Sequence, residues 1–278
     1  MKTVIVTGAS SGFGLDMVKL FLKDGWNVIA TLRKLEQRRD QLSKELNLDD
    51  PHLKLFELDV SQKNELDSFI KNVATVDVLI NNAGFGTYGA LEDISEEQLR
   101  YQMEVNFFAP ALLIQGLLPK LRANQGKVIN ISSLMGRYAC PLSSVYSASK
   151  YALEGLSEGL MYELKSHGVD VVTIQPGGHR TNFTSSIIWG ANSLSENSPY
   201  KTQTDGFIRM MKKLNSRKKA PKSESVAQVA FKLANARNLP RNIVVGNDAK
   251  FVAFLQSLMP KALYRKLMFV SNKKIFGA

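Results

Sequence analysis

The sequence predicts an α/β protein, with a doubly wound parallel sheet of about seven strands and helices on both faces. Short apolar runs alternate at least five times with segments of helical periodicity, an order that gives right-handed crossovers between parallel strands. The first run leads directly into a glycine-rich turn. With 278 residues, 44% of them hydrophobic, the chain can bury a large core. We therefore expect a single domain over residues 1–278.

Seven apolar runs are the predicted strands of that sheet. They are short, rich in β-branched residues and bounded by turn residues. The runs cover residues 2–7, 27–32, 53–58, 76–80, 127–132, 169–175 and 242–245. Because open α/β sheets bind ligands at the carboxyl ends of their strands, the loops that follow these runs are the candidate functional segments.

Helical patterns fill the segments between the runs. Ser61 and Ser95 are predicted N-caps, and Gln98 completes a capping box with Ser95. The helix that starts after Ser95 is predicted to continue through Asn106 to about residue 121. One further helix is predicted directly after the glycine-rich turn. The others run from after Lys34 to about 46, from 61 to 73, from the segment that carries Tyr146 past 164, and from 223 to about 237. Pro260 divides the apolar segment 251–270.

The turn after the first strand is the first candidate binding site. It reads Thr7-Gly8-Ala9-Ser10-Ser11-Gly12-Phe13-Gly14 and opens a helical segment. Backbone N–H groups and the helix dipole can hold a pyrophosphate in such a turn. A turn that merely joins a strand to a helix can also be rich in glycine. The predicted nucleotide contacts are Gly8, Ser10, Ser11, Gly12, Phe13 and Gly14.

The end of the second strand predicts which dinucleotide binds. An acid at this position accepts a hydrogen bond from the ribose 2′-OH of NAD, whereas an arginine accommodates the 2′-phosphate of NADP. Leu32 occupies the acid position and Arg33 follows it. The sequence therefore favours NADP(H) over NAD(H). The alternative is that Arg33 belongs to a solvated helix start.

Tyr146 and Lys150 are the candidate acid/base pair. They are four residues apart in a predicted helix, so the phenol and the ammonium share one face. A nearby cation stabilises a phenolate and lowers its pKa from about 10. Ser133, thirteen residues before Tyr146 at the end of the fifth strand, can donate a hydrogen bond to a substrate oxygen. Alone, a tyrosine and a lysine at this spacing are more often solvated surface.

Three further features bear on the site. Asn106 is polar among apolar neighbours, and is either a satisfied core amide or a site residue. Residues 81–84, which follow the fourth strand, suit a close backbone approach to a ligand or form an ordinary turn. Cys140 is the only cysteine. Because no His lies near it in the motif, a small apolar filler is favoured over a catalytic thiol, and the single cysteine indicates a reducing compartment. We expect a cytoplasmic protein, because no signal peptide and no membrane-spanning apolar run is visible.

In order and spacing, these motifs resemble those of the short-chain dehydrogenase/reductase family, over nearly all of the first 180 residues. The resemblance implies a Rossmann fold and hydride transfer without a metal, with Tyr146 as proton donor or acceptor. It implies that Lys150 lowers the pKa of Tyr146 and holds the nicotinamide ribose, that Ser133 orients the substrate oxygen, and that Asn106 anchors a proton-relay water. Ser132 is the adjacent alternative, but the spacing favours Ser133.

The resemblance also implies where the cofactor lies. Thr181 is expected to bond the nicotinamide carboxamide, and Asp59 and Asn82 to line the adenosine side. His179 stands where the family often has an apolar residue, and is expected to contribute its backbone only. The expected contacts in these loops are Asp59, Val60, Asn82, Ala83, Gly84, Pro176, Gly177, His179 and Thr181.

Residues 30–33 and 151–158 are similar to the branch of the family that acts on steroids and retinoids. The resemblance therefore implies an NADP(H)-dependent oxidoreductase that interconverts a hydrophobic alcohol and its ketone or aldehyde. The alternatives are a regulatory protein that binds NADP(H) without turnover, and a carrier-protein-linked ketoacyl reductase. The family is often dimeric or tetrameric, so a homo-oligomer is a further expectation.

The last part of the chain is expected to enclose the substrate. The resemblance places a lid at residues 182–222, with the apolar residues Ile187, Ile188, Trp189, Phe207, Met210 and Met211. Residues 201–278 contain 17 Lys/Arg and three acidic residues. The basic, apolar extension 248–278 can cap the cleft, contact a subunit or lie on a membrane. Nucleic-acid binding lacks support, because no recognised motif accompanies the charge.

Overall fold

The computed structural model describes residues 1–179, 186–215 and 221–276, with the backbone alone at 213–215, 261, 265, 271–272 and 274–276. Its strands are β1 Thr3–Thr7, β2 Asn27–Leu32, β3 Leu53–Glu57, β4 Val78–Asn81, β5 Thr87–Tyr88, β6 Lys127–Ile131, β7 Asp170–Pro176, β8 Ile188–Trp189 and β9 Asn242–Val245. Within the described residues, seven of them form a parallel sheet in the order β3-β2-β1-β4-β6-β7-β9. The predicted α/β class and sheet are confirmed.

Helices cover both faces of this sheet. They are α1 Gly12–Lys23, α2 Leu35–Ser43, α3 Lys63–Asn72, α4 Glu96–Met103, α5 Ala109–Ala123, α6 Ser144–Lys165, α7 Lys201–Asn215, α8 Glu224–Asn235, α9 Asn247–Leu258 and α10 Lys261–Phe276. One core cluster packs α1 and α8 on the sheet, with Phe21 and Val226 fully buried. The other packs α3, α5 and α6, with Phe69 and Leu117 fully buried. The two clusters fix the sheet, and therefore the strand ends that carry the predicted motifs.

The predicted continuous helix through Asn106 is interrupted. The Ser95–Gln98 capping box is present, with both hydrogen bonds at 3.2 Å. Residues Glu104–Phe108 then form one turn of π-helix between α4 and α5. Such turns are frequent at functional sites. Here the turn carries Asn106, whose side chain hydrogen-bonds the backbone of Phe85 rather than pointing along a regular helix.

A second, two-stranded sheet connects the predicted lid to the rest of the molecule. β5 and β8 pair in parallel, and the Gln98 side chain donates to the Trp189 carbonyl at 2.8 Å. The sequence did not predict this pair, because two-residue strands leave no periodicity to detect. At the other end of the chain, the predicted break at Pro260 is confirmed, although α9 begins at Asn247, before the predicted start of the apolar segment.

Candidate active site

Tyr146 and Ser133 meet at the carboxyl end of β6. Tyr146 lies in the first turn of α6 with only 6% of its surface exposed, and its side chain hydrogen-bonds that of Ser133. The Ser133 hydroxyl also accepts a hydrogen bond from the Met135 backbone at 3.1 Å, which fixes its position. The neighbouring Ser132 hydroxyl is buried with no hydrogen-bond partner among the described residues. The structure therefore brings Ser133, rather than Ser132, to the phenol.

Lys150 is buried behind Tyr146. Its Nζ donates to the Ile131 carbonyl at 2.9 Å and lies 6.0 Å from the centre of the Tyr146 ring. Burial lowers the pKa of Lys150 to about 8, and the negative charge of Glu154 one turn later opposes this. The lysine is therefore still mostly protonated at neutral pH.

The pKa of Tyr146 moves in the direction opposite to the expectation. Burial raises the pKa of Tyr146 to about 12, and only the hydrogen bond from Ser133 lowers it. The expectation that Lys150 lowers the pKa of this phenol is thus not met in this structure. The physical reason is that desolvation of the buried phenolate outweighs the hydrogen bond from Ser133, while Lys150 donates to the Ile131 carbonyl.

Asn106 is anchored on every side. Its Nδ2 donates to the Phe85 carbonyl at 3.0 Å and to the Ser149 hydroxyl at 3.1 Å, and its Oδ1 accepts from the Phe85 backbone at 3.2 Å. A Cβ on Gly84 would lie 3.2 Å from Asn106 Oδ1 and 3.6 Å from Lys150 Nζ. Asn106 is therefore a buried amide whose hydrogen-bonding groups have partners, and it lies close to Lys150. The sequence left open whether it is a core amide or a site residue, and its position is compatible with both.

The glycine-rich turn forms a braced cradle at the start of α1. Gly8 has φ +67°, and a Cβ there would approach the Ala83 backbone to 2.8 Å. A Cβ on Gly14 would overlap the Gly8 carbonyl oxygen. Asn82 donates from Nδ2 to the carbonyls of Thr7 at 2.8 Å and Gly8 at 3.1 Å. These contacts fix the turn against the strand ends, and a glycine-rich turn that opens a helix in this way fits a pyrophosphate.

The remaining predicted residues of this turn take several positions. Ser11 is the N-cap of α1, and its side chain makes no capping hydrogen bond. The ring of Phe13 packs on His179, with ring centres 5.4 Å apart. Ser10 is half-buried in the turn, and Gly12 has φ +54°. The Asn82 side chain hydrogen-bonds the backbone of the turn, so it stabilises the turn.

Arg33 lies at the edge expected for the adenosine ribose. Its Nη1 donates to the Tyr101 hydroxyl at 2.8 Å and lies 3.8 Å from Asp59 Oδ2. The Arg33 side chain is 60% exposed. Asp59 also accepts from the backbone and hydroxyl of Ser61, and Val60 is buried. An exposed guanidinium at the end of β2 fits a 2′-phosphate.

The loop after β7 is held by a residue that the sequence did not reveal. The Gly178 backbone donates to Asp248 Oδ2 at 2.7 Å, and the Gly177 backbone donates to the Val245 carbonyl at 2.8 Å. A Cβ on Gly177 would overlap the Asp248 carboxylate. An acid in the first turn of a helix is so common that Asp248 carried no signal of this contact.

His179 joins this loop to α8. Its Nδ1 pairs with the Gly177 carbonyl at 3.0 Å, and its Nε2 with the Ser225 hydroxyl at 3.1 Å. The expectation that His179 contributes its backbone alone is therefore incomplete, because both ring nitrogens fix the loop. Thr181 and part of the predicted lid lie outside the described residues.

An apolar cluster surrounds Tyr146 on its open side. The Tyr88 ring lies 5.6 Å from the Tyr146 ring and 5.1 Å from the Phe207 ring, centre to centre. Cys140 belongs to this cluster, its thiol hydrogen-bonds Ser143, and burial raises its pKa. The cluster comprises Tyr88, Ala90, Cys140, Leu142, Tyr146 and Phe207, with Met135, Tyr138, Ile187, Trp189, Tyr200, Met210 and Met211 packed against it. Ile188 instead packs against the core of α3, α5 and α6.

Fold and site together define a dinucleotide-dependent oxidoreductase. A glycine cradle lies at the carboxyl ends of β1 and β4, and a serine, tyrosine and lysine set follows β6 beside an apolar cluster. In the described part of the chain, no group of three His, Cys, Asp or Glu residues could hold a metal ion. Hydride chemistry needs a redox cofactor and a proton donor, and the residues present fit both.

Comparisons with known proteins agree with this definition. The short chain dehydrogenase family model matches residues 2–190. The 3-ketodihydrosphingosine reductase of Bacteroides thetaiotaomicron is 35% identical over 213 residues, covering 76% of this chain and 75% of the relative. The NADPH-dependent 3-dehydrocapnine reductase of Ornithobacterium rhinotracheale is 33% identical over 289 residues, covering 99% of each. A crystal structure of a short-chain dehydrogenase from Streptomyces avermitilis has a TM-score of 0.81 and 31% identity, covering 99% of this chain and 100% of that one.

The chain belongs to the short-chain dehydrogenase/reductase family. The family prediction is confirmed, and the relatives support the hydroxysteroid and retinol dehydrogenase-like branch. The protein is an oxidoreductase of CH–OH groups that uses a nicotinamide dinucleotide. No helix in the described ranges has both the length and the apolar content needed to cross a bilayer.

Proposed function

We propose that the protein is an NADPH-dependent reductase of a lipophilic ketone or aldehyde, with Tyr146 as the proton donor. The observation that carries the proposal is the Tyr146 hydroxyl, hydrogen-bonded to Ser133 and bordered by an apolar cluster. When bound, the nicotinamide supplies or accepts the hydride. The protein's own residues then have to hold the substrate oxygen and move one proton.

The protonation states of the site favour reduction. With a pKa of about 12, Tyr146 keeps its proton at neutral pH and can give it to a carbonyl oxygen. Ser133 is placed to donate a hydrogen bond to the same oxygen. Lys150, with a pKa of about 8, retains its positive charge at neutral pH. Asn106 would position a water through which a new proton reaches the Tyr146 phenolate.

The cofactor is proposed to be NADP(H) rather than NAD(H). The exposed Arg33 guanidinium at the end of β2 supports this preference, as does the relative named as an NADPH-dependent reductase. Gly8 and Gly14 would admit the pyrophosphate, and Lys150 would hold the nicotinamide ribose. We expect Leu32→Asp combined with Arg33→Ala to shift the ratio of kcat/KM for NADPH and NADH toward NADH. Retention of the NADPH preference would show that Arg33 does not select the cofactor.

Lipophilicity of the substrate follows from the apolar cluster. The side chains packed around Tyr146 are aliphatic, aromatic and sulfur-containing, with no charged group in the part of the cluster that the structure describes, so an apolar ketone loses less hydration there than a charged one. Two relatives are named for carbonyl compounds, 3-ketodihydrosphingosine and 3-dehydrocapnine. We propose that the chain is one domain whose residues 182–222 cover this cleft, and that it acts in the cytoplasm as a homo-oligomer.

The test is NADPH oxidation with a panel of ketosteroids, retinal, long-chain ketones and aldehydes, and small polar ketones. We expect turnover that rises with the apolar surface of the substrate and disappears in Tyr146→Phe. Turnover of the small polar ketones alone would refute the lipophilic substrate. Tight NADPH binding with no turnover of any compound would favour a regulatory protein.

A further inference from the structure

The outer face of the last two helices is unusually apolar. Seven large hydrophobic side chains there are exposed, among them Leu258 at 65% and Phe269 at 74%. We call this area the α9–α10 surface, formed by Phe251, Phe254, Leu258, Leu263, Leu267, Phe269 and Val270. Exposed large apolar side chains grouped on neighbouring helices in this way mark an interaction site.

The exposed residues form stripes instead of scattered points. In α9, Phe251, Phe254 and Leu258 are spaced by three and four residues, so they lie along one face. In α10, Leu263, Leu267 and Val270 repeat this spacing. The inner faces of both helices are used elsewhere, because α10 packs on α7 and α9 packs beside β9. The stripes are thus the outward side of a layer that is already attached to the protein.

Positive charge surrounds the stripes. Lys250, Lys266 and Lys273 are exposed, and helical geometry puts them at the border of the apolar residues. None of the three takes part in an ion pair among the described residues. After Asp248 the sequence contains six Lys/Arg residues and no acid. The surface therefore combines exposed apolar area with uncompensated positive charge.

We propose that the α9–α10 surface docks on the face of an anionic lipid bilayer. Aromatic and leucine side chains enter the acyl boundary while lysines meet the negative headgroups, and the two contributions add. Charge complementarity selects this occupant. A second copy of the chain would place like charges opposite one another across the same face, and a nucleic acid would leave the apolar stripes in water.

Helices α9 and α10 also contact elements that lie next to the active site. The Gln256 side chain on α9 donates to the Arg137 carbonyl at 3.1 Å, in the loop that follows Ser133. α10 packs on α7, whose Phe207 and Met210 belong to the apolar cluster around Tyr146. Docking would thus bring the wall of the cleft to the bilayer, from which a lipophilic substrate can be taken. This last step rests on the proposed function, whereas docking itself does not.

The test is co-sedimentation of the full chain with phosphatidylcholine vesicles and with vesicles that also contain phosphatidylglycerol. We expect binding to the anionic vesicles, weakened about tenfold or more by Phe254→Ser with Leu258→Ser, and likewise by Lys266→Glu with Lys273→Glu. The matched controls are Tyr162→Ser, an exposed apolar site on α6, and Lys54→Glu with Lys71→Glu, exposed lysines on β3 and α3. The controls should bind as the unmodified chain does.

Three results would overturn the proposal. The first is absence of binding to anionic vesicles, and the second is equal loss in the control variants. The third is a change of oligomeric state by Phe254→Ser with Leu258→Ser in light scattering, without any vesicle binding by the unmodified chain, which would assign the surface to a second copy. Circular dichroism of each variant checks that it is folded. Because vesicle binding is measured without substrate or NADPH, its failure is distinct from failure of the reductase activity.

Discussion

Two glycine-containing loops at the carboxyl edge of the sheet are fixed in different ways. In the β1–α1 turn, the close neighbours are backbone atoms, since a Cβ on Gly14 would overlap the Gly8 carbonyl. In the loop after β7, the close neighbour of Gly177 is the side chain of Asp248, which lies 71 residues further along the chain at the start of α9. The first loop is therefore fixed by backbone packing in the core. The second loop is fixed by one side chain, the Asp248 carboxylate, which a substitution can remove.

This difference determines what a substitution in each loop is expected to affect. Backbone atoms of a buried strand and helix cannot move without cost to the core. A carboxylate on an exposed helix start can rotate away, with the loss of one hydrogen bond. Predictions for the first loop therefore concern folding, while predictions for the second concern cofactor binding.

The largest effect is expected from Gly14→Ala. The new methyl group overlaps the Gly8 carbonyl and the Asn82 amide, so α1 has to shift from the sheet. We expect a loss of about 1–3 kcal/mol in the free energy of unfolding, measured by urea denaturation, together with weaker NADPH binding. Gly155→Ala, on α6 with open space around the Cβ, is the matched control and should not lower the stability. Unchanged stability of Gly14→Ala would contradict the packing of this turn.

A smaller effect on a different quantity is expected from Gly177→Ala. The methyl group displaces the Asp248 carboxylate, so the loop loses its clamp while the core stays intact. We expect the KM for NADPH to rise about tenfold, equivalent to about 1.4 kcal/mol, with little change in stability. Asp248→Ala removes the overlap, so the double variant should be no worse than Asp248→Ala alone. Additive losses would show that the two residues do not interact.

Two substitutions of Asp248 test the contribution of its hydrogen bond to NADPH binding. Asp248→Ala removes the acceptor of the Gly178 N–H, and we expect the KM for NADPH to rise about fivefold, the value of one hydrogen bond. Asp248→Asn retains an amide oxygen that can accept the same bond, so most of the affinity should return. A purely structural role would instead lower the melting temperature of both variants equally and leave the KM unchanged.

The smallest effect is expected at the lysine between the two loops. The Glu154 carboxylate raises the pKa of Lys150, which burial holds at about 8. Glu154→Gln removes that negative charge, so the pKa of Lys150 should fall. The alkaline decline of kcat/KM for carbonyl reduction should then move to lower pH, because the protonated lysine is lost earlier. Glu158→Gln, also on α6 but paired with Arg241, should leave the decline in place; an unchanged decline in Glu154→Gln would exclude Lys150 as its origin.

Much of the fold was predictable because its signals are local. Buried parallel strands leave continuous apolar runs, and the predicted strand at 27–32 coincides with β2. The glycine turn and the Tyr146–Lys150 spacing depend on residues that are close in sequence. Ser133 could be paired with Tyr146 because the resemblance to the family favours a thirteen-residue spacing, and the structure places their side chains in contact.

The features that the sequence did not show depend on distant contacts. Tyr88 packs on Tyr146 across 58 positions, and Asp248 reaches Gly178 across 70, so neither leaves a local pattern. The π-helical turn at Asn106 depends on hydrogen bonds to Phe85. The raised pKa of Tyr146 results from burial, which a helix-face argument does not include.

The central claim is that Tyr146 donates the proton to the substrate carbonyl. The direct measurement is a comparison of Tyr146→Phe with the unmodified chain on the preferred substrate of the panel, with NADPH binding measured separately by fluorescence. We expect a loss of about 100-fold or more in kcat, with the NADPH dissociation constant unchanged. Full turnover in Tyr146→Phe would show that the phenol is not the proton donor.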